Sequence, residues 1–254
     1  MLEIRTLTRY YGALAAVREL TFEARPGEVL GLLGPNGSGK STTVKVLTGV
    51  LAPTDGTVRL DGRDIAGDLT RYKAQVGYVP EEPHLYTYLT GEEYLRLVGQ
   101  LRGVASQALD AKIERFMQLL EVTDDRYLTL SGYSKGMRQK ILIAAAVLHN
   151  PRIVILDEPF SGLDVTAARV LKSFVRSLAE SGKIVVFSSH VLEVVEQVCS
   201  RVVILKDGRQ VGHDSVANLR ETLRLPSLDA VFAALVSEEN VDARTNGLLE
   251  AMRA

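Results

Sequence analysis

Leu2 to Thr8 and Val17 to Ala24 alternate apolar and polar residues, which predicts two half-buried strands joined by the aromatic turn Tyr10-Tyr11-Gly12 as an antiparallel pair. Glu28 to Leu33 is a nearly unbroken apolar run, read as a buried strand, and Ser41 to Gly49 after it reads as a helix. Thr57 to Leu60 lies between the turn signals Pro53-Thr54-Asp55-Gly56 and Asp61-Gly62, and Val76 to Val79 forms another short strand. From about residue 90 to 150 the apolar spacing changes to threes and fours. Helices are predicted over Gly91 to Leu101, Ser106 to Glu121 and Lys135 to Leu148, inserted into an α/β core.

The core resumes at Arg152 to Leu156, apolar and β-branched as a strand covered on both faces must be. A helix over Val165 to Glu180, a strand over Ile184 to Phe187 and a helix over Val191 to Cys199 follow, and this alternation predicts a mainly parallel sheet. Asp207-Gly208 between Arg201 to Leu205 and Arg209 to Gly212 predicts a hairpin. Beyond Asp214 the chain reads as helical. Leu228, Val231, Phe232, Leu235 and Val236 share one face, and Pro226-Ser227 supplies a break and an N-cap before them.

Composition narrows the function classes. With 254 residues, 46% of them hydrophobic, the chain can bury a large core. Thirty basic against thirty-one acidic residues give no field that would gather nucleic acid, and no basic run stands out, so no nucleic-acid partner is expected. The longest apolar run near the middle, Ile141 to Leu148, falls far short of the roughly twenty residues of a membrane helix. MLEIRTLTRY has no signal-peptide hydrophobic region, and the single Cys199 suits a reducing compartment, so a soluble, cytosolic chain is expected.

The chemistry is concentrated in Gly34-Pro35-Asn36-Gly37-Ser38-Gly39-Lys40-Ser41, a match to G-x-x-x-x-G-K-[ST] between the buried strand and its helix. Wrapping a polyphosphate in backbone N–H groups requires an approach without side chains, which the three glycines allow. Lys40 would reach the outer phosphates and Ser41 would ligate Mg²⁺, while Thr42 continues the helix whose N-terminal dipole faces the phosphates. The run Ile153 to Leu156 ends in Asp157 and Glu158. Asp157 is placed to hold Mg²⁺, and Glu158 to take a proton from the attacking water.

Taken in order, GPNGSGKST, ILDEPFSGLD and FSSH resemble the ATP-binding subunit of an ABC transporter, over roughly residues 2 to 215. The resemblance implies a P-loop NTPase fold: a mainly parallel core sheet, an N-terminal antiparallel β subdomain, and an inserted α-helical subdomain at about 88–150. The ATPase domain would span 1–216, with 217–254 as a C-terminal helical extension. It also implies roles: Asp157 as the Walker B aspartate, Glu158 as the catalytic glutamate, Asp164 as the D-loop aspartate, His190 as the switch histidine, and Tyr11 as the ring that stacks on adenine, with Tyr10 its nearest competitor.

The family's signature, usually LSGGQ, is read at Tyr133-Ser134-Lys135-Gly136-Met137. Arg138-Gln139-Lys140 resembles the family's continuation of that motif, and Asp157 comes 23 positions after Ser134 (157 − 134), the family's usual gap. Ser134 would cap the following helix, with Lys135 and Gly136 beside it, so that free N–H groups point at the nucleotide of an opposing subunit. Two departures stand out. Glu81 follows Tyr78-Val79-Pro80 where the family commonly has glutamine, and as a hard oxygen donor it would remain a metal ligand. Lys135 and Met137 replace glycine and glutamine, a form similar to the ABC-2 type branch, which favours export.

The implied protein is an ATPase that uses ATP and Mg²⁺ and works as a homodimer or heterodimer of ATPase subunits. It would sit on the cytoplasmic face of the membrane through separately encoded transmembrane permease subunits. Glu82-Pro83-His84-Leu85-Tyr86-Thr87-Tyr88-Leu89 would form the groove that receives a helix of the permease. Two alternatives remain at this point: a soluble, non-transport ABC-type ATPase, and a nucleotide-binding regulatory subunit without turnover.

Overall fold

The computed structural model describes residues 1–82, 84–236 and 251–252. Two sheets face each other across a shared core. The first is antiparallel and contains β1 (Leu2–Tyr11), β2 (Leu14–Ala24), β4 (Asp55–Leu60) and the two-residue β5 (Arg63–Asp64), in the order β2-β1-β4-β5. The second has six strands in the order β10-β9-β3-β8-β7-β6. Here β3 (Val29–Leu33), β6 (Val76–Val79), β7 (Ile153–Asp157), β8 (Ile184–Ser188) and β9 (Arg201–Lys206) run parallel, and β10 (Arg209–Ser215) closes one edge antiparallel to β9.

The period of two in the parallel strands sorts the core onto two faces. Leu30, Leu32, Ile153, Ile155, Ile184 and Val186 point toward the antiparallel sheet and α1 (Lys40–Leu47). Val154, Leu156, Val185 and Phe187 point the other way, onto α6 (Val165–Glu180) and α7 (Leu192–Val198). The helices α3 (Gly91–Leu101), α4 (Ser106–Leu119) and α5 (Lys135–Val147) lie between β6 and β7 in the chain. Their own core includes Leu95, Leu109, Ile113 and Met117. Helix α5 belongs to both bodies: Leu142, Ile143, Ala146 and Val147 join the sheet core, whereas Ile141, Ala144, Ala145 and Leu148 join the helical one.

Several elements differ from the sequence reading. Tyr10 and Tyr11 continue β1, and the turn is confined to Gly12 and Ala13, because the cross-strand register persists to Tyr11 opposite Leu14. Strand β5, a 3-10 turn at Ile65–Gly67 and helix α2 (Leu69–Lys73) were not predicted. They are made by local caps, with Asp64 accepting from the Ala66 amide and Asp68 from the Arg71 amide, and such short elements leave no hydrophobic period. The division expected at 216 falls at the start of α8 (Val216–Leu223), where Val216 is buried. In α9 (Leu228–Val236), Leu228 and Val231 are fully buried against the sheet core, and Ser227 Oγ accepts from the Ala230 amide as the N-cap. The rest of the expected extension, 237–250 and 253–254, lies outside the described residues.

Candidate active site

The strand-loop-helix unit β3, 34–39, α1 forms a cradle because Gly34 and Gly39 are places where no other residue fits. A Cβ at Gly39, whose φ is 101°, would sit 2.6 Å from the Ala16 carbonyl oxygen. One at Gly34 would sit 2.3 Å from Ser38 Oγ and 2.5 Å from the Leu205 carbonyl oxygen. The loop is braced from behind by the β9–β10 turn, since the Gly208 amide donates to the Ser38 carbonyl at 3.2 Å. Helix α1 has no side-chain cap. The unbonded N–H groups of its first turn, with the positive end of the helix dipole, form an anion site.

Lys40 extends back over the loop, its Nζ donating to the Gly34 carbonyl at 2.6 Å and the Pro35 carbonyl at 3.0 Å. Burial pulls its ammonium below the ordinary lysine range, while Glu158, Asp157 and Glu81 act in the opposite direction. Ser38 Oγ is buried without a hydrogen-bond partner, and Thr43 Oγ1 donates to the Gly39 carbonyl at 2.9 Å.

The acidic pair lies across the cavity at the carboxyl end of β7. Asp157 is 5% exposed and accepts a hydrogen bond from Ser188 Oγ on the neighbouring strand. Burial raises its carboxyl above the usual carboxylate range, the Ser188 hydroxyl opposes this, and Glu81 and Glu158 add to it. Glu158 adopts φ 48°, in the left-handed region, a cost of about 1–3 kcal/mol that persists only where the surroundings impose it. They do so here through its amide, which donates to the Ser188 carbonyl at 3.1 Å. Its carboxylate receives Ser189 Oγ at 3.3 Å on one oxygen and meets His190 Nδ1 at 2.8 Å on the other. The His190 side chain is 73% exposed, so it reaches Glu158 from the open side.

These groups surround one cavity of about 340 Å³, lined by Tyr11, Asn36, Gly37, Gly39, Lys40, Ser41, Thr42, Glu81, Asp157, Glu158 and His190. Gly34, Pro35 and Ser38 form the loop beneath it. Tyr11 lines the cavity and Tyr10 does not, and the Arg9 guanidinium lies 5.2 Å from the centre of the Tyr11 ring. Leu14 and Ala16 also line the cavity and were missed by sequence reasoning; as ordinary apolar residues of β2, they carry no chemical signal. Ser188 and Ser189 stand within the FSSH run, which was the available clue to them.

Ser134, Lys135, Gly136 and Asp164 are elsewhere, outside this cavity. Ser134 caps α5, accepting from the Met137 amide at 3.2 Å, and is exposed. Asp164 caps α6, accepting from the Ala167 amide at 2.9 Å, and that bond holds its carboxyl below the usual range. The two caps are neighbours: a Cβ at Gly136 would lie 2.5 Å from the Gly162 carbonyl oxygen, and one at Gly162 would lie 2.8 Å from Lys135 Cγ.

The chemistry of the cavity suits a magnesium nucleotide. Ser41 and Asp157 offer one hydroxyl and one carboxylate, and among the described residues no three His, Cys, Asp or Glu side chains are grouped to hold a metal by themselves. That is the donor set of an ion which completes its shell with phosphate oxygens and water.

The family model described as ABC transporter matches residues 17–161, more than half of the chain. The chain belongs to the ABC transporter family. It is 36% identical over 218 residues to an uncharacterized ABC transporter ATP-binding protein of Methanocaldococcus jannaschii, covering 86% of this chain and 79% of that one. It is 34% identical over 218 residues to the ABC transporter ATP-binding protein NatA of Bacillus subtilis, covering 85% and 89%. A solved structure described as the ATP binding subunit of an ABC transporter superposes with a TM-score of 0.87 at 32% identity, over 92% of this chain and 99% of that one. The P-loop NTPase fold with its two sheets is thus that of an ABC ATPase. Among the described residues no helix is long and apolar enough to cross a membrane.

Proposed function

We propose that this ABC-family ATPase hydrolyses Mg-ATP in a site shared between two subunits and drives separate membrane-spanning subunits, in the export direction. The observation that carries the reading is the uncapped start of α1, facing Lys40 and the Asp157–Glu158 pair across one cavity. The phosphates would lie on the free N–H groups, and the Lys40 ammonium would exchange the Gly34 and Pro35 carbonyls for phosphate oxygens. Ser41 and Asp157 would hold Mg²⁺, which when bound screens phosphate charge, and Glu81 is a third oxygen donor on the cavity wall. Tyr11, backed on one side by Arg9, offers its ring to adenine.

Glu158 is the general base in this reading. Its carboxylate takes a proton from water at the cavity mouth, while His190, held at 2.8 Å, is placed to meet the outermost phosphate. Ser134, Lys135 and Gly136, with Asp164 beside them, complete the cavity of a second subunit, a role consistent with their place outside their own and with the exposure of Ser134, Lys135 and Asp164. We take 1–216 as the ATPase domain, with the helical subdomain at about 88–150 and 217–254 as a helical extension. The permease would dock on Tyr86 and Tyr88, which are 56% and 73% exposed with rings 6.0 Å apart, and would hold the protein at the cytoplasmic face of the membrane. The export direction is supported by the Tyr133-Ser134-Lys135-Gly136-Met137 form of the signature. The reading is tested by phosphate release from Mg-ATP together with gel filtration in ATP. Release with ATP-dependent dimers is expected, and nucleotide binding without release would leave a regulatory subunit instead.

A further inference from the structure

Gln139 on α5 is a buried polar side chain, 1% exposed, in a helix whose other buried residues are apolar. Its Nε2 donates to the Pro159 carbonyl at 3.1 Å. Pro159 is itself buried and directly follows Glu158, so this bond holds the carbonyl of the residue next to the left-handed one that carries the proposed base. On the near side the Glu158 amide is fixed by the Ser188 carbonyl. Two further contacts attach the same helix to the same loop. No side chain fits at Gly136 against the Gly162 carbonyl, and the stem of Lys135 lies along Gly162.

We infer that Gln139 is a positioning residue that couples one nucleotide site to the other. The first residues of α5 face the second subunit's nucleotide, a premise that rests on the function proposed for the site. The next turn of the same helix holds the backbone beside Glu158 of its own chain. A nucleotide that captures the start of α5 from outside therefore also sets where Glu158 stands inside. A small displacement of a base from its water is enough for a large loss of rate, on the order of a hundredfold for about 1 Å.

The test uses the full chain carrying Gln139→Met, which keeps the length of the side chain without its donor, and Gln139→Glu, which keeps its shape. Equilibrium ATP binding, ATP-dependent dimer formation and steady-state turnover are measured for each. The expected result is unchanged affinity and dimerisation, with kcat lowered about ten- to a hundredfold and KM unmoved. Mixed dimers add a second measurement, with Lys40→Ala disabling one site. When Gln139→Met shares a chain with Lys40→Ala, the remaining site uses the other chain's Glu158 and keeps the turnover of the matching dimer without Gln139→Met. With the two substitutions on opposite chains, that turnover falls. Wild-type turnover in both Gln139 variants would overturn the inference. So would a loss of turnover matched by a loss of affinity, of dimers or of folding in both, or an equal loss in the two mixed arrangements. A wild-type chain that hydrolyses ATP without dimerising would defeat the underlying reading before any variant was made.

Discussion

Two helix starts of this molecule, those of α1 and α5, are built differently. At α1 the first turn has no side-chain cap and opens into a cavity walled by its own chain. At α5 the first turn is capped by Ser134 and opens onto the surface. An uncapped helix start is tolerable only where a ligand or water takes over the unsatisfied N–H groups. A capped one is stable alone and remains available for contact from outside. In the function proposed above, the first would be an internal binding site and the second a surface that completes a site in another molecule.

The largest effect separates chemistry from binding inside the first region. Glu158→Gln should lower turnover about a hundred- to ten-thousandfold, the usual worth of a general base, while ATP affinity is retained. Phosphate release and equilibrium binding measured on the same preparation check this, and normal turnover sinks the assignment. Lys40→Ala should do the reverse, weakening ATP binding about ten- to a hundredfold for the loss of a charged contact worth roughly 1.5–3 kcal/mol. If both variants failed in the same way, the cavity would not be divided into a binding loop and a separate base.

The second region is tested by a substitution that leaves the fold alone. Asp and Asn are as good as Ser at an N-cap, so Ser134→Asp and Ser134→Asn should both keep α5 intact. Only the aspartate sets a negative charge against a partner's phosphate. ATP-dependent dimers should be lost, by at least about tenfold in affinity, for Ser134→Asp and not for Ser134→Asn, with ATP binding to the monomer unchanged in both. Weaker ATP binding by the Ser134→Asp monomer would mean that the two regions belong to one subunit's site.

How much of this was legible in the sequence divides along the same line. The first region was readable because each part has a local signature: glycines around a lysine, an apolar strand ending in Asp157-Glu158, a histidine after β8. What escaped was held by contacts between backbones distant in sequence. The Ala16 carbonyl against Gly39 and the Gly208 amide on the Ser38 carbonyl are backbone groups that carry no side-chain signal, and the one side chain among these contacts, Gln139, meets a Pro159 carbonyl that no spacing in the sequence announces. The long strands and helices were found from their apolar period. β5 and α2 were missed because Asp64 and Asp68 build them from caps alone.

The helix that joins the two regions offers a control on stability. His149, just beyond the end of α5, has both ring nitrogens buried, and desolvation lowers its pKa to about 4, with Arg102, Lys112 and Lys183 acting in the same direction and the Val76 backbone against it. Its folded pKa lies below the unfolded value, so its contribution is fully present above about pH 6.5 and is lost as pH falls toward 4. Because the group is only half-buried, the loss is about 1–2 kcal/mol rather than the full value of the shift. Urea midpoints at pH 7 and pH 5 should differ accordingly, and His149→Phe should remove that part of the difference. An unchanged pH dependence in the variant would show that the histidine takes up its proton in the folded chain as readily as in the unfolded one.

The smallest expected effect concerns Lys135, where the second region departs from its family's glycine. Its stem lies along Gly162, so Lys135→Ala removes packing and charge together, whereas Lys135→Met keeps the stem and removes only the ammonium. If the charge acts on the partner's phosphates, both variants should weaken the ATP-dependent dimer about two- to fivefold at low salt, the range of an exposed ion pair. The difference from wild type should shrink as ionic strength rises and the Debye length falls below about 8 Å. If only the stem matters, Lys135→Met should behave as wild type at every salt concentration while Lys135→Ala does not. That pattern would make the lysine a spacer between α5 and the loop before α6, and the second region would then act on phosphate through Ser134 and the helix start alone.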